Sequence, residues 1–249
     1  MKPVMLVLGL LLLTSGGGSM ERNVLLWQFE VQGPVKQMVI DVDQDTDSTE
    51  ESTHETVSFN EEGTKAVQTI EQPLGFVHSE GTYVWNPQTG ILKTEITEDQ
   101  RKYGLWTSQF DAQGCEVKTQ ILLHIDGSAY TQLRTCDAQG RILKIKDYRK
   151  NDPQVETTTL SYRSGGLVII TVKQRGGNTA QDYEIRDARG LLLESGSWEN
   201  NTPEPAYRYR YRFDRQGNWV QREDFAWQDR IEAWDPSPFR TTHRKLQYQ

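Results

Sequence analysis

The sequence predicts an all-β protein, an extended antiparallel meander of about fourteen strands that forms a coiled or barrel-like sheet. Two observations carry this prediction: a turn signal recurs at a nearly constant interval, and a second, variable turn lies between successive signals. No segment after the N-terminal apolar run has a convincing helical period. We therefore expect a signal segment, 1–19, followed by one repeat domain, 20–249.

The N-terminus has the composition of a secretory signal peptide. Lys2 precedes an apolar run, 4–13, which is followed by small residues, 14–19. The run is shorter than the roughly 20 apolar residues that span a bilayer, so we expect cleavage near Gly18 and no transmembrane span in the mature chain. The leader resembles a bacterial lipoprotein signal but has no lipobox Cys, so a lipid anchor is not expected. The mature protein is expected to be periplasmic or secreted.

An acidic stretch comes before the first repeat. Four aspartates alternate with other residues in the way that carboxylates alternate in a calcium loop: Asp41, Asp43, Asp45 and Asp47. Such a loop requires Gly at its sixth position and Glu at its twelfth, where this chain has Thr46 and Ser52. A solvated acidic loop is therefore the preferred interpretation, calcium is a weak candidate, and no other metal site is predicted.

Seven repeat units organise the chain. Each has a glycine at the end of a tight turn, and the separations between these marker glycines run from 24 to 27 residues. The marker glycines are Gly63, Gly90, Gly114, Gly140, Gly166, Gly190 and Gly217. An Asp or Asn is expected to accept backbone hydrogen bonds in these turns while the glycine supplies a positive φ, except in the degenerate unit 162–168, which has neither residue. Two turns per unit leave two strands of ordinary length, and the apolar run 167–172 predicts a strand that is covered on both faces.

Cys115 and Cys136 are the two cysteines of the chain. The turn signal 124–128 lies between them and predicts a hairpin. A turn centred on Ile125-Asp126 places the two cysteines directly opposite each other, whereas one centred on Asp126-Gly127 leaves them diagonal. An exported protein matures in an oxidising compartment, so a structural disulfide is expected, with two free buried thiols as the alternative.

The segment 207–213 alternates strictly between aromatic residues and arginines. As a strand it places four aromatics on one face and three arginines on the other. The functional interpretation is a ligand-binding surface for phosphate, carboxylate or acidic glycan; the simpler one is core packing beneath a solvated face paired with acids such as Glu223 and Asp224. Exposed tryptophans can also stack on sugar rings. The candidate ligand-binding residues are Tyr207, Arg208, Tyr209, Arg210, Tyr211, Arg212, Trp219 and Trp227.

The repeated aromatic-Asp-x-x-Gly-x-hydrophobic pattern resembles the YD (RHS-like) repeats of secreted bacterial proteins. The segment 33–36 is similar to the opening of small YD-type envelope lipoproteins, and 217–219 is similar to their closing repeat. The resemblance covers roughly residues 33–223. It implies an extended, coiled antiparallel sheet that binds a ligand, such as a carbohydrate, or forms part of a protein shell. It supplies no catalytic residues. The chain departs from the family where Phe, Trp, Cys or Arg replaces the usual Tyr before Asp.

Function is only broadly bounded by the sequence. A pI near 5.2 and a net charge of −7 argue against nucleic-acid binding. Residues 1–125 carry a net charge of −10 and residues 126–249 a net charge of +3, so the back half is the expected ligand region. No catalytic motif or cofactor signature is present, and no cofactor is expected. We expect a non-enzymatic binding or scaffolding protein of the bacterial envelope that takes a glycan or an envelope protein as partner. The alternatives are a glycan hydrolase with carboxylates in a sheet groove and a protein-interaction adaptor or toxin inhibitor.

Overall fold

The computed structural model describes residues 28–44, 53–71, 78–150, 152–174 and 176–249, most of which lie in β-strands. The predicted signal segment lies outside the described residues. Within the described part of the chain, no helix has the length and apolar character needed to cross a membrane.

Among the described residues one 3-10 turn, Ser164–Gly166, precedes β11. In chain order the strands are β1 Val35–Gln44, β2 Thr53–Phe59, β3 Lys65–Glu71, β4 His78–Asn86, β5 Ile91–Glu98, β6 Arg101–Phe110, β7 Glu116–Leu123, β8 Ala129–Cys136, β9 Ile142–Arg149, β10 Asp152–Tyr162, β11 Leu167–Lys173, β12 Thr179–Arg186, β13 Leu192–Glu199, β14 Thr202–Phe213, β15 Trp219–Gln228, β16 Ala233–Trp234 and β17 Arg240–Tyr248.

Sixteen of these strands form a closed antiparallel barrel. Each strand from β1 to β15 pairs with the next, β15 also pairs with β17, and β17 returns to β1 with Leu246 opposite Met38. The two-residue strand β16 pairs with β15 outside this ring. The predicted all-β, barrel-like meander is therefore confirmed. The count of about fourteen strands is wrong, because β1 and β17 lie outside the seven repeat units and their mutual pairing closes the barrel.

The marker turns have the predicted geometry. All seven marker glycines have positive φ, between 64° and 87°. At Asp111 the side-chain oxygen Oδ1 accepts the backbone N–H groups of Gln113 and Cys115, each at 2.9 Å. The same pair of hydrogen bonds recurs at Asp137, Asp187 and Asp214. Each marker turn joins an even-numbered strand to the next odd-numbered one, so all seven lie at one end of the barrel.

Register determines which side chains face the interior, because directly opposed residues share a face of the sheet. Met38, Val57 and Ala66 point inward and are almost fully buried. On β11 the inward Val168 and Ile170 and the outward Ile169 are all buried. The prediction that the run 167–172 is covered on both faces is therefore confirmed.

Bulges modify the simple alternation next to the marker end. Between β8 and β9 the register shifts after Thr135, so that Cys136 lies opposite Ile142. Strict alternation along β9 would place Ile142 on the same face as Lys144, but Ile142 packs with the inward Ile145 instead. The extra residue of the bulge reverses the facing of the residues beyond it.

The segment that precedes β1 fills part of the interior at the marker end. Phe29 is 8% exposed, and its ring lies edge-on to those of Phe59 and Tyr83. The buried Asn218 fixes the segment by accepting the backbone N–H of Gln32 at 2.6 Å and donating to its carbonyl at 3.0 Å. A barrel of sixteen strands has room for a water-filled channel, and here this segment occupies part of that room.

The expected disulfide forms between Cys115 and Cys136, whose Cα atoms are 6.5 Å apart. The hairpin register, from Lys118 opposite Leu133 onwards, is centred on Ile125-Asp126. This is the arrangement that places the two cysteines opposite each other. The bridge joins neighbouring strands next to two marker turns and so reinforces the marker end of the barrel.

Candidate binding cavity

The alternating strand β14 places its arginines and aromatics on opposite faces, as predicted. Arg208, Arg210 and Arg212 point outward, whereas Tyr209 and Tyr211 point inward. Cross-strand pairing therefore resolves the face assignment, and whether the outward arginines bind a ligand stays a prediction.

Two of the outward arginines already have partners. Arg208 donates to Glu194 at 3.1 Å, and its guanidinium carbon lies 4.3 Å from the centroid of Trp234. Arg210 lies 4.6 Å from the ring centroid of the outward Phe225. These contacts cover apolar surface with charged side chains, which is an ordinary way to solvate the outside of a sheet.

The expected acidic partners of this arginine row separate onto two faces. Glu223 lies opposite Arg210 on the outer face, but Asp224 is fully buried in the interior. Asp224 instead accepts from the inward Arg222 and from Arg240. The suggestion that Asp224 pairs with the β14 arginines is therefore wrong, because neighbouring residues of a strand face opposite ways.

The aromatic candidates occupy different environments. Tyr207 is 45% exposed and packs against Phe239, while Tyr211 contacts the ring of Trp219 in the interior. Trp219 is 6% exposed, so it belongs to no exposed stripe of aromatics. Trp227 is half-buried and lies edge-on to Trp234, outside the ring of sixteen strands. The structure thus brings Tyr211 and Trp219 together and leaves Tyr207 and Trp227 apart from them.

The calcium candidates Asp41 and Asp43 lie on β1, and Asp45 and Asp47 lie outside the described residues. Asp41 Oδ1 is 2.6 Å from His54 Nδ1, and Asp43 Oδ2 is 3.9 Å from His243 Nε2. Lys245 also lies 3.7 Å from Asp41. Among the described residues no group of three or more His, Cys, Asp or Glu side chains is arranged to hold a metal ion.

A cavity of about 490 Å³ lies inside the barrel. Its lining comes from strands that are consecutive around the ring, β12 to β15, β17 and β1 to β5, and the segment before β1 adds Gln28, Phe29 and Glu30. The volume falls within the range of small-molecule sites. The lining residues that carry hydrogen-bonding or charged groups include Glu30, Glu55, Gln68, Tyr83, Tyr211, Trp219, Arg222, Arg240, Thr242 and Arg244.

Arg244 is a buried cation in this lining, and two of its nitrogens have no hydrogen-bond partner among the described residues. It is 6% exposed, and its guanidinium carbon lies 3.8 Å from the centroid of the Trp219 ring. One nitrogen, Nη2, donates to the carbonyl of Phe29. Its Nε and Nη1 atoms are buried without a hydrogen-bond partner among the described residues. Burial lowers the pKa of Arg244 to about 10, although Glu30 and Glu55 act in the opposite direction, so the side chain stays charged at neutral pH.

Arg222 and Arg240 form a second cationic group on the same wall. Asp224 accepts from Arg222 Nε at 2.8 Å and from Arg240 Nε at 2.7 Å. Two guanidinium groups therefore share one carboxylate. Repulsion from Arg222 also contributes to the lowered pKa of Arg244, which shows that the two charges interact. This wall of the cavity carries more positive charge than its hydrogen-bonded carboxylate neutralises.

The neighbouring strands β2 to β4 add hydrogen-bonding groups to this lining. Gln68 donates to Glu55 at 2.8 Å and accepts the hydroxyl proton of Tyr83. Burial raises the pKa of Glu55, and it also raises the pKa of Tyr83. Near the marker end, Glu30 accepts the indole N–H of Trp219 at 3.0 Å. The cavity therefore combines cations, carboxylates and aromatic rings with aliphatic side chains such as Ile70.

Most of these residues were not predicted from the sequence. Arg244, Glu55 and Glu30 belong to no motif and are far apart in the chain. One signal was available: Arg240, Thr242 and Arg244 occupy the same phase of a strand alternation, so a strand there places three polar residues on one face. Which face is interior follows only from the pairing of β17 with β1 and β15.

Fold and site together define a sixteen-stranded antiparallel β-barrel with an interior cavity lined by both polar and apolar residues. No protein-family model matches the chain, and no curated protein matches it. Among solved structures, one described as a porin-like protein from Bacteroides uniformis is similar, with a TM-score of 0.59 and 11% sequence identity. The match covers 86% of this chain and 98% of that one. At this identity the likeness shows a shared fold and nothing further.

Proposed function

We propose that this protein is an exported, non-enzymatic β-barrel that binds a small polar ligand, a glycan fragment, in its interior cavity. The observation that carries the proposal is the cavity of about 490 Å³ whose lining includes the buried Arg244 beside Trp219. A buried polar lining costs stability unless it is satisfied, so a cavity of this composition favours a hydrogen-bonding occupant. Aromatic rings beside such groups suit the apolar faces of sugars.

Three features support export to the periplasm or the cell exterior. The N-terminal segment has the composition of a signal peptide. The Cys115–Cys136 disulfide suits an oxidising compartment. The outward positions Lys65, Lys93 and Lys144 near the marker end are exposed and charged, whereas a lipid-facing band consists of apolar residues. We infer that the outer face of the barrel meets water at the marker end.

The resemblance to YD-type envelope proteins stays part of this proposal. Its support is the uniformity of the marker turns, where four aspartates make the same pair of backbone hydrogen bonds and seven glycines share a positive φ. In this scheme the repeat is a device for building strands and turns. The binding residues then differ from unit to unit.

The proposal is tested by blocking the cavity. Ile70 lines it, and the neighbouring Thr69 points outward on the same strand, so Ile70→Trp and Thr69→Trp form a matched pair. We expect neutral and acidic mono- and disaccharides to raise the melting temperature of the wild-type protein and of Thr69→Trp, and to leave that of Ile70→Trp unchanged. A panel without any stabilising sugar, or an equal response of both variants, contradicts an interior glycan site.

A hydrolase is the second candidate, because two carboxylates, Glu30 and Glu55, line the same cavity. The raised pKa of Glu55 is a property of general acids in glycoside hydrolysis. Each carboxylate already accepts a hydrogen bond, from Trp219 and Gln68 respectively. We therefore favour binding over catalysis. Release of reducing sugar by the wild-type protein and its loss in Glu55→Gln would establish the hydrolase instead.

A further inference from the structure

We propose that the ligand of the interior cavity is an acidic sugar and that Arg244 binds its carboxylate. This inference rests on the proposed function and adds the charge and the contact group of the ligand. It starts from the unfilled hydrogen-bonding capacity of Arg244, whose Nε and Nη1 are both buried without a partner among the described residues.

An unpartnered buried guanidinium is costly for the folded protein. Buried polar atoms normally have hydrogen-bond partners, and a charged group loses more than a neutral one when it has none. Arg244 retains one hydrogen bond, to the carbonyl of Phe29, and one ring contact, to Trp219. Both contacts hold its guanidinium in a fixed position at the cavity wall. The side chain is therefore oriented before any ligand arrives, which lowers the entropic cost of binding.

The neighbouring carboxylates do not fill this capacity. Asp224 is engaged by Arg222 and Arg240, Glu30 by the indole of Trp219, and Glu55 by Gln68. Glu30 and Glu55 raise the pKa of Arg244 electrostatically, but neither accepts a hydrogen bond from its Nε or Nη1 among the described residues. The cationic wall thus has donors available for an oxyanion from outside the chain.

The other groups of the cavity indicate what the oxyanion is attached to. Gln68, Glu55 and Tyr83 can exchange hydrogen bonds with hydroxyl groups, and Tyr211 and Trp219 present ring surfaces. A guanidinium binds a carboxylate through two parallel N–H···O bonds. A phosphate carries about two negative charges, which increases both its attraction to the arginines and its repulsion from Glu30 and Glu55. Only Arg244 has unpartnered donors in this lining among the described residues, and one carboxylate matches one guanidinium, so a singly charged, hydroxyl-rich molecule fits these groups best.

The experiment compares three sugars on the full-length mature protein by titration calorimetry. Glucuronate carries the carboxylate, glucose lacks any charge, and glucose 6-phosphate carries the dianion. The variants are Arg244→Gln, which keeps a polar side chain without the charge, and Arg244→Lys, which keeps the charge without the planar fork. Arg210→Gln is the matched control, because Arg210 is an exposed arginine on the outer face.

We expect the wild type and Arg210→Gln to bind glucuronate at least about tenfold more tightly than glucose, the scale of one charge-assisted hydrogen bond. In Arg244→Gln this preference should fall to about one while the affinity for glucose is unchanged, and Arg244→Lys should be intermediate. A simple folding defect would weaken both sugars equally, and the melting temperatures of the variants identify it.

The outcomes separate this inference from the proposed function. Equal binding of glucose and glucuronate by the wild type, or an unchanged preference in Arg244→Gln, overturns the role of Arg244 and leaves an interior glycan site intact. Tighter binding of glucose 6-phosphate than of glucuronate overturns the carboxylate assignment. Binding of none of the sugars by any variant overturns both proposals.

Discussion

Replacing Asp224 with Asn tests whether the interior arginines depend on one buried carboxylate. Asp224 is fully buried, and its two oxygens accept from Arg222 at 2.8 and 3.1 Å. One of them, Oδ2, also lies 2.7 Å from Nε and 2.6 Å from Nη2 of Arg240. The variant Asp224→Asn keeps the volume of the side chain, removes its charge and directs an NH₂ group at guanidinium donors. Both arginines then lose their carboxylate.

The magnitude follows from burial. Removing one partner of a buried ion pair typically costs about 3–5 kcal/mol. The side chains of Arg222 and Arg240 remain 28% and 36% exposed, so water compensates for part of the loss and the expected cost is about 2–3 kcal/mol. For a chain of this size the melting temperature should fall by roughly 4–12 °C. Thermal unfolding followed by circular dichroism and urea unfolding at neutral pH measure both quantities.

The adjacent Glu223 provides the control. It faces outward on the same strand and accepts from Gln221 at 2.9 Å, so Glu223→Gln should change the free energy of unfolding by no more than about 0.5 kcal/mol. Equal effects of the two substitutions would refute the assignment of Asp224 to the interior. A stability gain in Asp224→Asn would refute the view that the arginines need its charge.

Three further predictions concern other parts of the barrel. Replacing Cys115 and Cys136 with Ala should lower the free energy of unfolding by about 3 kcal/mol, because the bridge closes a loop and so restricts the unfolded chain. Addition of reductant to the wild type should reproduce the effect, and two free thiols in the unreduced protein would disprove the bridge. Gly166→Ala should lower the free energy of unfolding by at least about 2 kcal/mol, because its added Cβ would lie 1.9 Å from a carbonyl oxygen of the neighbouring strand. Gly165 has a similar φ but open space around it, so Gly165→Ala should lower the free energy of unfolding by about 1 kcal/mol. Equal losses of the two variants in urea unfolding would show that backbone conformation alone matters. Because burial raises the pKa of Glu55 above its ordinary value of 4.5, the folded state holds that proton more tightly than the unfolded chain, and this contribution to stability is lost as pH rises from about that value through the raised pKa. Glu55→Gln should therefore show a smaller loss of stability across this interval, and parallel pH profiles of the two proteins would contradict it.

The sequence predicted the local features of the fold because short-range interactions produce them. In the four marker turns that begin with Asp111, Asp137, Asp187 and Asp214, the carboxylate accepts backbone N–H groups within four residues, and the glycine adopts a positive φ. The hairpin between Cys115 and Cys136 follows from one turn and the strand period, whereas the structure selects the register that places the two cysteines opposite each other. In the same way, the alternation of β14 was sufficient to separate its arginines from its tyrosines.

The candidate site was less accessible to sequence reasoning. Of the eight predicted ligand-binding residues, Tyr211 and Trp219 line the cavity, whereas the arginines of β14 point away from it. Strand alternation states that two faces exist and does not say which is interior. A bulge also shifts the register between β14 and β15, so that Phe213 pairs with Trp219. No residue pattern within a single repeat unit predicts this bulge.

The sequence by itself thus determined the all-β class, the spacing of the turns and the pairing of each strand with its neighbour along the chain, since each depends on residues close in sequence. Tertiary structure alone decided the closure of the barrel through β1 and β17, the entry of the N-terminal segment into the interior, and the meeting of Arg244 with Trp219 and Phe29. These contacts join residues as far as 215 positions apart. Their partners are selected by the burial of a shared interior, a property of the closed barrel that no local pattern contains.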